Sequence, residues 1–305
     1  MVAPLTLAIT GATGFVGSRL LTKARAAGHD IRALTRRPMR KRKGIEWIDG
    51  ALDNSESLER LVQGADAVIH VAGVINAPDA AAFEAGNVAG TAAMLAAAEQ
   101  AKIKRFDHVS SLAAREPGLS LYGASKARSE ALVEASFLSS AIVRPPAVYG
   151  PGDREILELF KMAARGIVLL PPRGRLSVIH VDDLSRLLLA LTDSECPERL
   201  LVEPDDGREG GWTHEAFGQA LGRAVGRRVV TLSMPRSMLR MGARIDGLLR
   251  GPAAKLTPDR AAYFCHPDWL VEPSRGAPEA LWRPIVDTDE GLAATARWYR
   301  SEGWL

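Results

Sequence analysis

One stretch near the start of the chain, Thr10–Gly17 (TGATGFVG), constrains the fold more than any other. It follows the apolar run Leu5–Ile9, which has the length of a buried strand, and it opens a segment with apolar residues at helical spacing. Gly11 permits a sharp turn, Gly14 lets a ligand approach the backbone, and Gly17 lets a helix pack closely on a strand. The stretch therefore predicts a strand, a tight turn and a helix whose N-terminus faces an anion.

A strand, a glycine-rich turn and a helix form the setting of a dinucleotide site, in which helix N–H groups face the pyrophosphate. The spacing here is Gly-x-x-Gly-x-x-Gly, and a glycine turn without a ligand is the alternative that this stretch alone leaves open. The candidate cofactor-binding residues of the turn are Gly11, Thr13, Gly14, Phe15, Val16 and Gly17.

Further strand-like runs alternate with helical patterns over the first half of the chain, at 31–34, 45–48, 66–73 and 106–109. This alternation predicts an α/β fold, a Rossmann-type doubly wound parallel sheet with a smaller C-terminal substrate lobe. We expect residues 1–150 to form the nucleotide-binding core, with 176–202 returning to it. Residues 151–175 and 203–305 are expected to form the substrate lobe.

Composition excludes several functional classes. The 305 residues are 47% hydrophobic and 25% charged, with a net charge of +3, which is ordinary for a globular protein and gives no reason to expect nucleic acid. The two cysteines have no metal spacing, and no apolar window reaches the length of a membrane span. We therefore expect a cytoplasmic protein without a bound metal that acts on a small molecule.

The end of the second predicted strand bears on the choice of cofactor. An acidic residue at this place grips the adenosine ribose and repels a 2′-phosphate, but here Thr35 is followed by Arg36. A guanidinium can fork onto a phosphate, so the sequence favours NADP(H), with NAD(H) as the alternative. The basic run 36–43 has no interleaved aromatic residues, and beyond Arg36 it is expected to be a solvated loop.

Two other stretches are expected to contact the cofactor. The strand at 66–73 ends in the small residues Val71, Ala72 and Gly73, which leave room at the carboxyl edge of the sheet. Leu52 lies where the adenine ring is expected. His70, inside the same apolar run, is interpreted as a hydrogen-bonded core residue.

The strand at 106–109 leads to Ser110 and Ser111, and Tyr122 and Lys126 follow on one face of a predicted helix. A nearby ammonium group favours the phenolate, so Tyr122 is expected to exchange a proton near neutral pH, with Ser111 bonding the reacting oxygen. We take Ser111, Tyr122 and Lys126 as the candidate catalytic residues.

These motifs resemble those of the extended short-chain dehydrogenase/reductase superfamily, which includes NAD-dependent sugar epimerases and dehydratases. The resemblance extends over about residues 5–190 and takes in 87–91, 144–151 and 179–184. It implies that Tyr122 is the acid/base, that Lys126 lowers its pKa and holds the nicotinamide ribose, and that Ser111 polarises the substrate. It also implies that Asn87, Pro145 and Val148 lie at the nicotinamide end.

Departures from the family pattern narrow the reaction. Leu112-Ala113 stands where dehydratases resemble one another in an Asp-Glu pair, which disfavours dehydration. The resulting prediction is hydride transfer between NADP(H) and a carbonyl or alcohol of a small or sugar-like substrate. The alternatives are a sugar epimerase with tightly held cofactor and a non-catalytic NADPH-binding accessory subunit. Relatives often pair through two helices, so a homodimer is one expectation that the residues leave open.

The second half of the chain gives weaker signals. Met234, Met238, Leu239 and Met241 recur at helical spacing, and we expect them to pack in a core. Trp212 and Thr213 are expected to begin a helix, with Thr213 as the N-cap and Trp212 stapled to Phe217.

Overall fold

The computed structural model describes residues 4–193, 196–251, 254 and 256–305, and the chain divides into two compact units. The first unit takes in Met1–Arg144, Leu184–Glu203 and Arg275–Arg283. The second takes in Pro145–Asp183, Pro204–Ser274 and Pro284–Leu305. The short return of Arg275–Arg283 to the first unit has no signal in the sequence.

The first unit is built on a parallel seven-stranded sheet with the order β11-β6-β5-β4-β1-β2-β3. Its strands are β1 (Thr6–Thr10), β2 (Asp30–Thr35), β3 (Ile45–Asp49), β4 (Ala67–His70), β5 (Arg105–Val109), β6 (Ser140–Val143) and β11 (Arg199–Val202). The helices between them are α1 (Phe15–Ala26), α2 (Ser55–Val62), α3 (Ala80–Phe83), α4 (Gly90–Gln100) and α5 (Leu121–Ala135). The doubly wound fold predicted from the alternating pattern is confirmed.

The strand order reverses between β1 and β4, because β2 and β3 extend the sheet to one side of β1 and β5 and β6 to the other. Ligands of open α/β sheets bind outside the carboxyl ends of the strands at such a switch point. The glycine turn after β1 and the small residues 71–73 after β4 both lie at this edge.

A continuous apolar cluster from the sheet and its helices forms one core of this unit. Ala8, Val68 and Phe106 from three adjacent strands are fully buried, and Leu58, Leu61 and Met94 cover them from α2 and α4. Parallel strands covered by helices have apolar residues almost continuously along their length. The run Ala67–Ile69 has this pattern.

The second unit holds three small sheets: β7 (Ala147–Tyr149) with β10 (Val178–His180), β8 (Ile167–Leu170) with β13 (Val230–Ser233), and β9 (Arg175–Leu176) with β12 (Trp212–Thr213) and β14 (Asp268–Trp269). Its helices are α6 (Leu157–Ala164), α8 (His214–Val225), α9 (Arg236–Arg250), α10 (Pro258–Phe264) and α11 (Thr288–Ser301). Helix α7 (Val181–Ala190) begins in this unit and continues into the first.

The predicted start of α8 is confirmed. The Thr213 hydroxyl accepts a hydrogen bond from the Ala216 N–H, and the rings of Trp212 and Phe217 meet edge to face at 6.0 Å. The prediction for the methionine-rich segment is wrong in part: Leu239 is buried, but Met238 and Met241 are exposed on α9. Their spacing is helical, but the face on which they lie is turned to solvent.

Candidate active site

The glycine turn has the close approaches that its sequence predicts. Gly11 has a φ of +69°, and a Cβ atom there would lie 2.6 Å from the Ala72 nitrogen. A Cβ atom on Gly17 would lie 2.1 Å from the Gly11 carbonyl oxygen. Side chains at either position would therefore push β1, α1 and the loop after β4 apart.

The first turn of α1 is open to a ligand. Gly14 is the N-cap, and no side chain caps the N–H groups that follow it. Thr13 and Gly14 are exposed, while Phe15 and Val16 are half-buried. Uncapped N–H groups at the positive end of a helix are the donors that a pyrophosphate needs, so this turn fits a dinucleotide.

Thr10 fastens the loop after β4 to the glycine turn. Its hydroxyl accepts a hydrogen bond from the Ala72 N–H at 3.1 Å and donates to His70 Nδ1 at 2.8 Å. The remaining nitrogen of His70 lies 3.2 Å from the Thr91 hydroxyl. Burial, followed by the nearby Lys126 charge, lowers the pKa of His70 to about 3, so it is neutral. The interpretation of His70 as a hydrogen-bonded core residue is confirmed.

Asn87 is buried and ties three segments together. Its side-chain oxygen accepts from the Val74 N–H at 2.6 Å, while its amide nitrogen donates to the Val74 carbonyl and to the Ser125 hydroxyl. Ser125 lies on α5 between Tyr122 and Lys126 and donates in turn to the Tyr122 carbonyl. Asn87 itself lies in a π-helical turn, Glu84–Ala89, which leads directly into α4.

The three candidate catalytic residues lie on adjoining segments of the first unit. Ser111 follows β5 and caps a 3₁₀ turn, Leu112–Arg115, by accepting the Ala113 N–H at 3.2 Å. Tyr122 stands in the first turn of α5, and the Ser111 side chain lies near enough to its phenol to lower the Tyr122 pKa. The N-cap of that helix is Ser120, which accepts the Gly123 N–H at 2.9 Å.

The pKa of Tyr122 departs from expectation. Burial raises it above the ordinary value, and the nearby Ser111 side chain offsets only part of the rise. The main contact of the Lys126 ammonium group is not the phenol, because Nζ donates a hydrogen bond to the Val109 carbonyl at 2.8 Å. The lowering of the Tyr122 pKa expected from Lys126 is therefore not met, and the phenol is neutral at neutral pH.

Lys126 is almost fully buried. Burial lowers its pKa to about 8, although the Glu130 carboxylate acts in the opposite direction. A Cβ atom on Gly73 would lie 3.7 Å from Lys126 Nζ, so the bare glycine leaves room for a ligand above the amine. An ammonium group beside that space suits a ribose with hydroxyl groups.

A second buried histidine lies next to His70 on the adjacent strand. His108 stacks on His70 with ring centroids 5.5 Å apart and contacts the Ser129 hydroxyl at 3.0 Å. Because Ser129 already donates to the Lys126 carbonyl, it accepts from His108 Nε2, which leaves Nδ1 as a bare acceptor. Burial and then the Lys126 charge hold the pKa of His108 well below its usual range. Two neutral rings thus line the sheet near the lysine.

A buried ionic network that sequence reasoning missed supports the serine segment. Arg144 Nε and Nη2 bind the two oxygens of Glu130 at 2.9 and 2.6 Å, and Arg144 Nη1 reaches Glu203 at 3.3 Å. Ser110 donates to Glu130, and Arg115 bonds Glu203 at 3.2 Å. Burial alone would lower the pKa of Arg144, but the two glutamates outweigh it and raise the value.

The network connects both ends of the segment 110–115, which carries Ser111. One local signal pointed to it: Tyr122, Lys126 and Glu130 recur four residues apart and form one polar face of a buried helix. Arg144 and Glu203 had no such signal, since they come from distant parts of the sequence.

The end of β2 is the place at which the sequence predicts binding of the 2′-phosphate of NADP(H). Thr35 is buried and its hydroxyl bonds the backbone of Arg37, while Arg36 is exposed directly beyond the strand. Leu52 is half-buried, its side chain lies against Gly90 at the start of α4, and it borders an open depression of about 240 Å³ between α2 and α4.

Pro145 and Val148 belong to the second unit, where Pro145 is buried and Val148 lies in β7 opposite Ile179. Their contacts with nicotinamide stay predictions. Among the residues that the structure describes, no group of three or more His, Cys, Asp or Glu side chains is placed to hold a metal. Within the same residues, no helix combines the length and apolar character needed to cross a bilayer.

Three features define a class of enzymes, the nicotinamide-dependent enzymes with a doubly wound fold. They are the glycine turn at the switch point of the sheet, the buried Asn87 with its hydrogen bonds, and helix α5 with Tyr122 and the buried Lys126. Residues 7–202 match the family model described as "NAD dependent epimerase/dehydratase family". The chain belongs to this family.

Comparison with curated proteins finds "Ceramide reductase" of Caulobacter vibrioides (strain NA1000 / CB15N), 40% identical over 98% of this chain and 96% of that protein. A ketoreductase of Stigmatella aurantiaca, named for a 4-farnesyl dihydroquinoline-oxide substrate, is 32% identical over 49% of this chain and 52% of its own. Among solved structures, MoeE5 in complex with UDP-glucose and NAD shares the fold with a TM-score of 0.76. It is 23% identical and covers 97% of this chain and 99% of its own.

Proposed function

We propose that this protein is an NADP(H)-dependent reductase that converts a ketone on a ceramide-like lipid to a secondary alcohol. The observation that carries the proposal is the placement of Ser111 beside the Tyr122 phenol, whose pKa it lowers, with Lys126 buried one turn further along α5, in a chain 40% identical to a ceramide reductase over nearly its whole length. The ketoreductase named for a farnesylated substrate supports a lipophilic ketone as well.

In the proposed reaction the residues of this chain handle the proton and the substrate oxygen. Bound NADPH supplies the hydride, which adds two electrons to the carbonyl carbon. Tyr122 donates its phenolic proton to the carbonyl oxygen, and Ser111 gives that oxygen a second hydrogen bond. A phenol whose pKa is raised by burial is fully protonated at neutral pH, as a donor for reduction must be.

Lys126 is proposed to have two functions, one in cofactor binding and one in proton transfer. Its ammonium group lies beside the space left by Gly73 and is proposed to bind the nicotinamide ribose. Its positive charge also favours the phenolate that remains after Tyr122 has given up its proton. The buried Glu130 next to it raises the lysine pKa and so keeps part of that charge.

Cofactor choice and location follow from the same proposal. Arg36 is proposed to bind the 2′-phosphate of NADPH, since it is exposed beyond β2 and no acidic residue ends that strand. Gly11, Thr13, Gly14, Phe15, Val16, Gly17, Leu52, Val71, Ala72, Gly73, Asn87, Pro145 and Val148 are proposed to complete the cofactor site. A reductase that draws on NADPH is expected in the cytoplasm.

The test is turnover of purified protein with NADPH and a ketone-bearing, short-chain N-acyl sphingoid lipid, followed by loss of nicotinamide fluorescence and by mass spectrometry of the product. We expect stoichiometric NADPH oxidation and formation of the alcohol, both abolished by Tyr122→Phe. UDP-glucose and UDP-galactose serve as parallel substrates. Interconversion of these sugars without net NADPH consumption would contradict the reductase proposal and support an epimerase instead. A UDP-glucose 4-epimerase of Vibrio cholerae, 25% identical to this chain, is the reason to include these substrates.

A further inference from the structure

Helix α9 exposes a continuous apolar stripe. Met241 is 57% exposed, Leu248 87% and Leu249 80%, and Met238 and Ile245 are exposed between them. At 3.6 residues per turn these five positions fall within an arc of about 100° on the helix surface. An arc of that width normally faces a protein core.

The opposite face of α9 already makes the contacts with the second unit. Leu239 and Ala243 are buried, and the Asp246 carboxylate accepts the Leu256 N–H at 2.8 Å. At the start of the helix, Arg236 donates to the Cys265 carbonyl at 3.1 Å. These contacts fix the rotation of α9 about its own axis. The apolar stripe, on the opposite face, therefore points into solvent.

A row of arginines borders the apolar stripe. Arg240 and Arg244, four residues apart and both exposed, form this arginine row, while Arg236 one turn earlier lies on the packed face. The helix carries four arginines, counting Arg250, against one aspartate, which gives it a formal charge of +3. Long arginine side chains beside an apolar arc place their guanidinium groups at the level of lipid phosphates.

A second exposed apolar patch comes just before the helix in the chain. Ile167 and Leu169 of β8 stand opposite Val230 and Leu232 of β13, and all four side chains are exposed on one face of this two-stranded sheet. The strand β13 ends at Ser233, and α9 begins at Arg236. We call this patch and the stripe of α9 together the apolar face.

Exposed hydrophobic side chains are concentrated in the apolar face. Nine of the fifteen large hydrophobic residues that are exposed within the described part of the chain belong to it. Scattered exposed hydrophobic residues need no explanation, but two such groups on consecutive elements of one unit mark a surface that binds another apolar phase.

We propose that the apolar face docks on an anionic lipid bilayer, with α9 lying in the plane of the interface. The charge of the arginine row decides between this occupant and a second copy of the chain. A second copy docked on the same face would bring its own basic helix against this one, and like charges repel across an interface. An interfacial helix instead combines an apolar face with flanking basic residues that attract anionic headgroups. The apolar face would bind lipid whatever the enzyme reduces, and vesicle binding is measured without any reaction.

The experiment is cosedimentation of the full chain with vesicles of phosphatidylcholine alone and of phosphatidylcholine mixed with phosphatidylglycerol. We expect binding to the mixed vesicles, at least tenfold weaker binding to the neutral ones, and loss of much of the binding at high salt. Failure to bind the mixed vesicles would overturn the proposal, even if the protein proves to be an active reductase.

Variants locate the binding surface. Leu248→Ser with Leu249→Ser, and separately Arg240→Glu with Arg244→Glu, are each expected to weaken binding by about tenfold or more. The matched controls are Phe137→Ser, which removes a 96% exposed aromatic residue from the first unit, and Arg40→Glu with Lys41→Glu in the basic loop. Both controls should bind like the unaltered protein.

Three results contradict the proposal. The first is unchanged binding by the α9 variants. The second is loss of binding in the Arg40→Glu with Lys41→Glu control, which would place the lipid contact in the basic loop. The third is a dimer, measured by light scattering, that Leu248→Ser with Leu249→Ser converts to a monomer, because the apolar face would then belong to a second copy of the chain.

Discussion

Two helices of equal length distribute their residues in opposite ways. Both α5 and α9 have fifteen residues. Helix α5 buries Ser125, Lys126, Ser129 and Glu130, although polar residues normally lie at the surface. Helix α9 buries only Leu239 and Ala243 and leaves five large apolar side chains in solvent.

The difference shows which side chains of each helix already have partners within the folded chain. Buried polar groups are costly unless they are paired, and each of these groups on α5 has a hydrogen-bonding or ionic partner that orients it. Exposed apolar groups gain nothing from the folded chain itself and become useful only when another phase covers them. Under the two proposals made above, α5 serves chemistry inside the protein and α9 serves a surface outside it.

The largest expected effect is on the chemistry at α5. Tyr122→Phe removes the proposed proton donor but leaves the ring and its packing near Phe83, so turnover should fall by about 10²–10⁴-fold. Titration of NADPH fluorescence should show nearly unchanged cofactor binding, which separates loss of chemistry from loss of folding. Turnover within a factor of two of the unaltered enzyme would remove Tyr122 from the catalytic role.

Removing the cation from the buried network beneath the serine segment should strongly destabilise the first unit. Arg144→Met leaves Glu130 and Glu203 buried without their shared cation, so the free energy of unfolding should fall by about 3–5 kcal/mol. The control is Lys161→Met in the exposed Lys161–Glu158 pair, where a loss below about 0.5 kcal/mol is expected. Urea denaturation measures both. Equal losses in the two variants would mean that the network is not held in solution.

The low pKa of Lys126 predicts a particular dependence of stability on pH. The pKa of Lys126 in the folded chain is about 8, against 10.5 for an ordinary lysine. Between these values the unfolded chain binds more protons than the folded one, so the free energy of unfolding should rise with pH in this window. The rise contributed by Lys126 should be on the order of 3 kcal/mol.

Replacing the lysine tests this directly. In Lys126→Met the rise from Lys126 should disappear, while Lys104→Met, at an exposed lysine, should keep it. Urea denaturation from about pH 7 to about pH 10 measures the difference between the curves. Parallel curves for the unaltered protein and Lys126→Met would show that the buried amine does not titrate in this range.

A smaller effect concerns the cofactor phosphate. Arg36→Ala should weaken NADPH binding by about tenfold or more and change NADH binding little, because a hydrogen-bonded guanidinium–phosphate contact would be lost. Arg40→Ala in the same basic loop is the matched control and should change neither affinity. Equal or tighter binding of NADH by the unaltered protein would reject the preference for NADPH.

Much of the fold could be predicted because its signals are local. The glycine turn, the spacing of Tyr122 and Lys126 and the Thr213 cap each depend on residues within one turn or one helix. The partners of Arg144 could not be predicted, because Glu130 and Glu203 are 14 and 59 residues away and the fold alone brings them together. The pKa of Tyr122 was misjudged for a related reason, since burial is a property of the whole unit.

The spacing of the apolar residues in α9 correctly predicts a helix, but it does not predict that Met238 and Met241 face solvent. Hydrophobic spacing shows that residues share a face, and it does not show whether that face meets a core or solvent. Leu239 lies one position from Met238, and only the packed structure shows that Leu239 points inward. The arginines at every fourth residue were the one sequence clue that the neighbouring face is not a core face.

The smallest expected effect completes the comparison of the two helices. Leu248→Ser should change the free energy of unfolding by less than about 0.5 kcal/mol, because an 87% exposed side chain makes few contacts to lose. Leu239→Ser, on the buried face of the same helix, should cost about 2–4 kcal/mol from lost burial and an unpaired hydroxyl. Urea denaturation of the dilute protein without lipid measures both variants. A cost at Leu248 close to that at Leu239 would mean that the stripe is already covered in the free protein, and the contrast between α5 and α9 would then no longer distinguish an internal site from an external one.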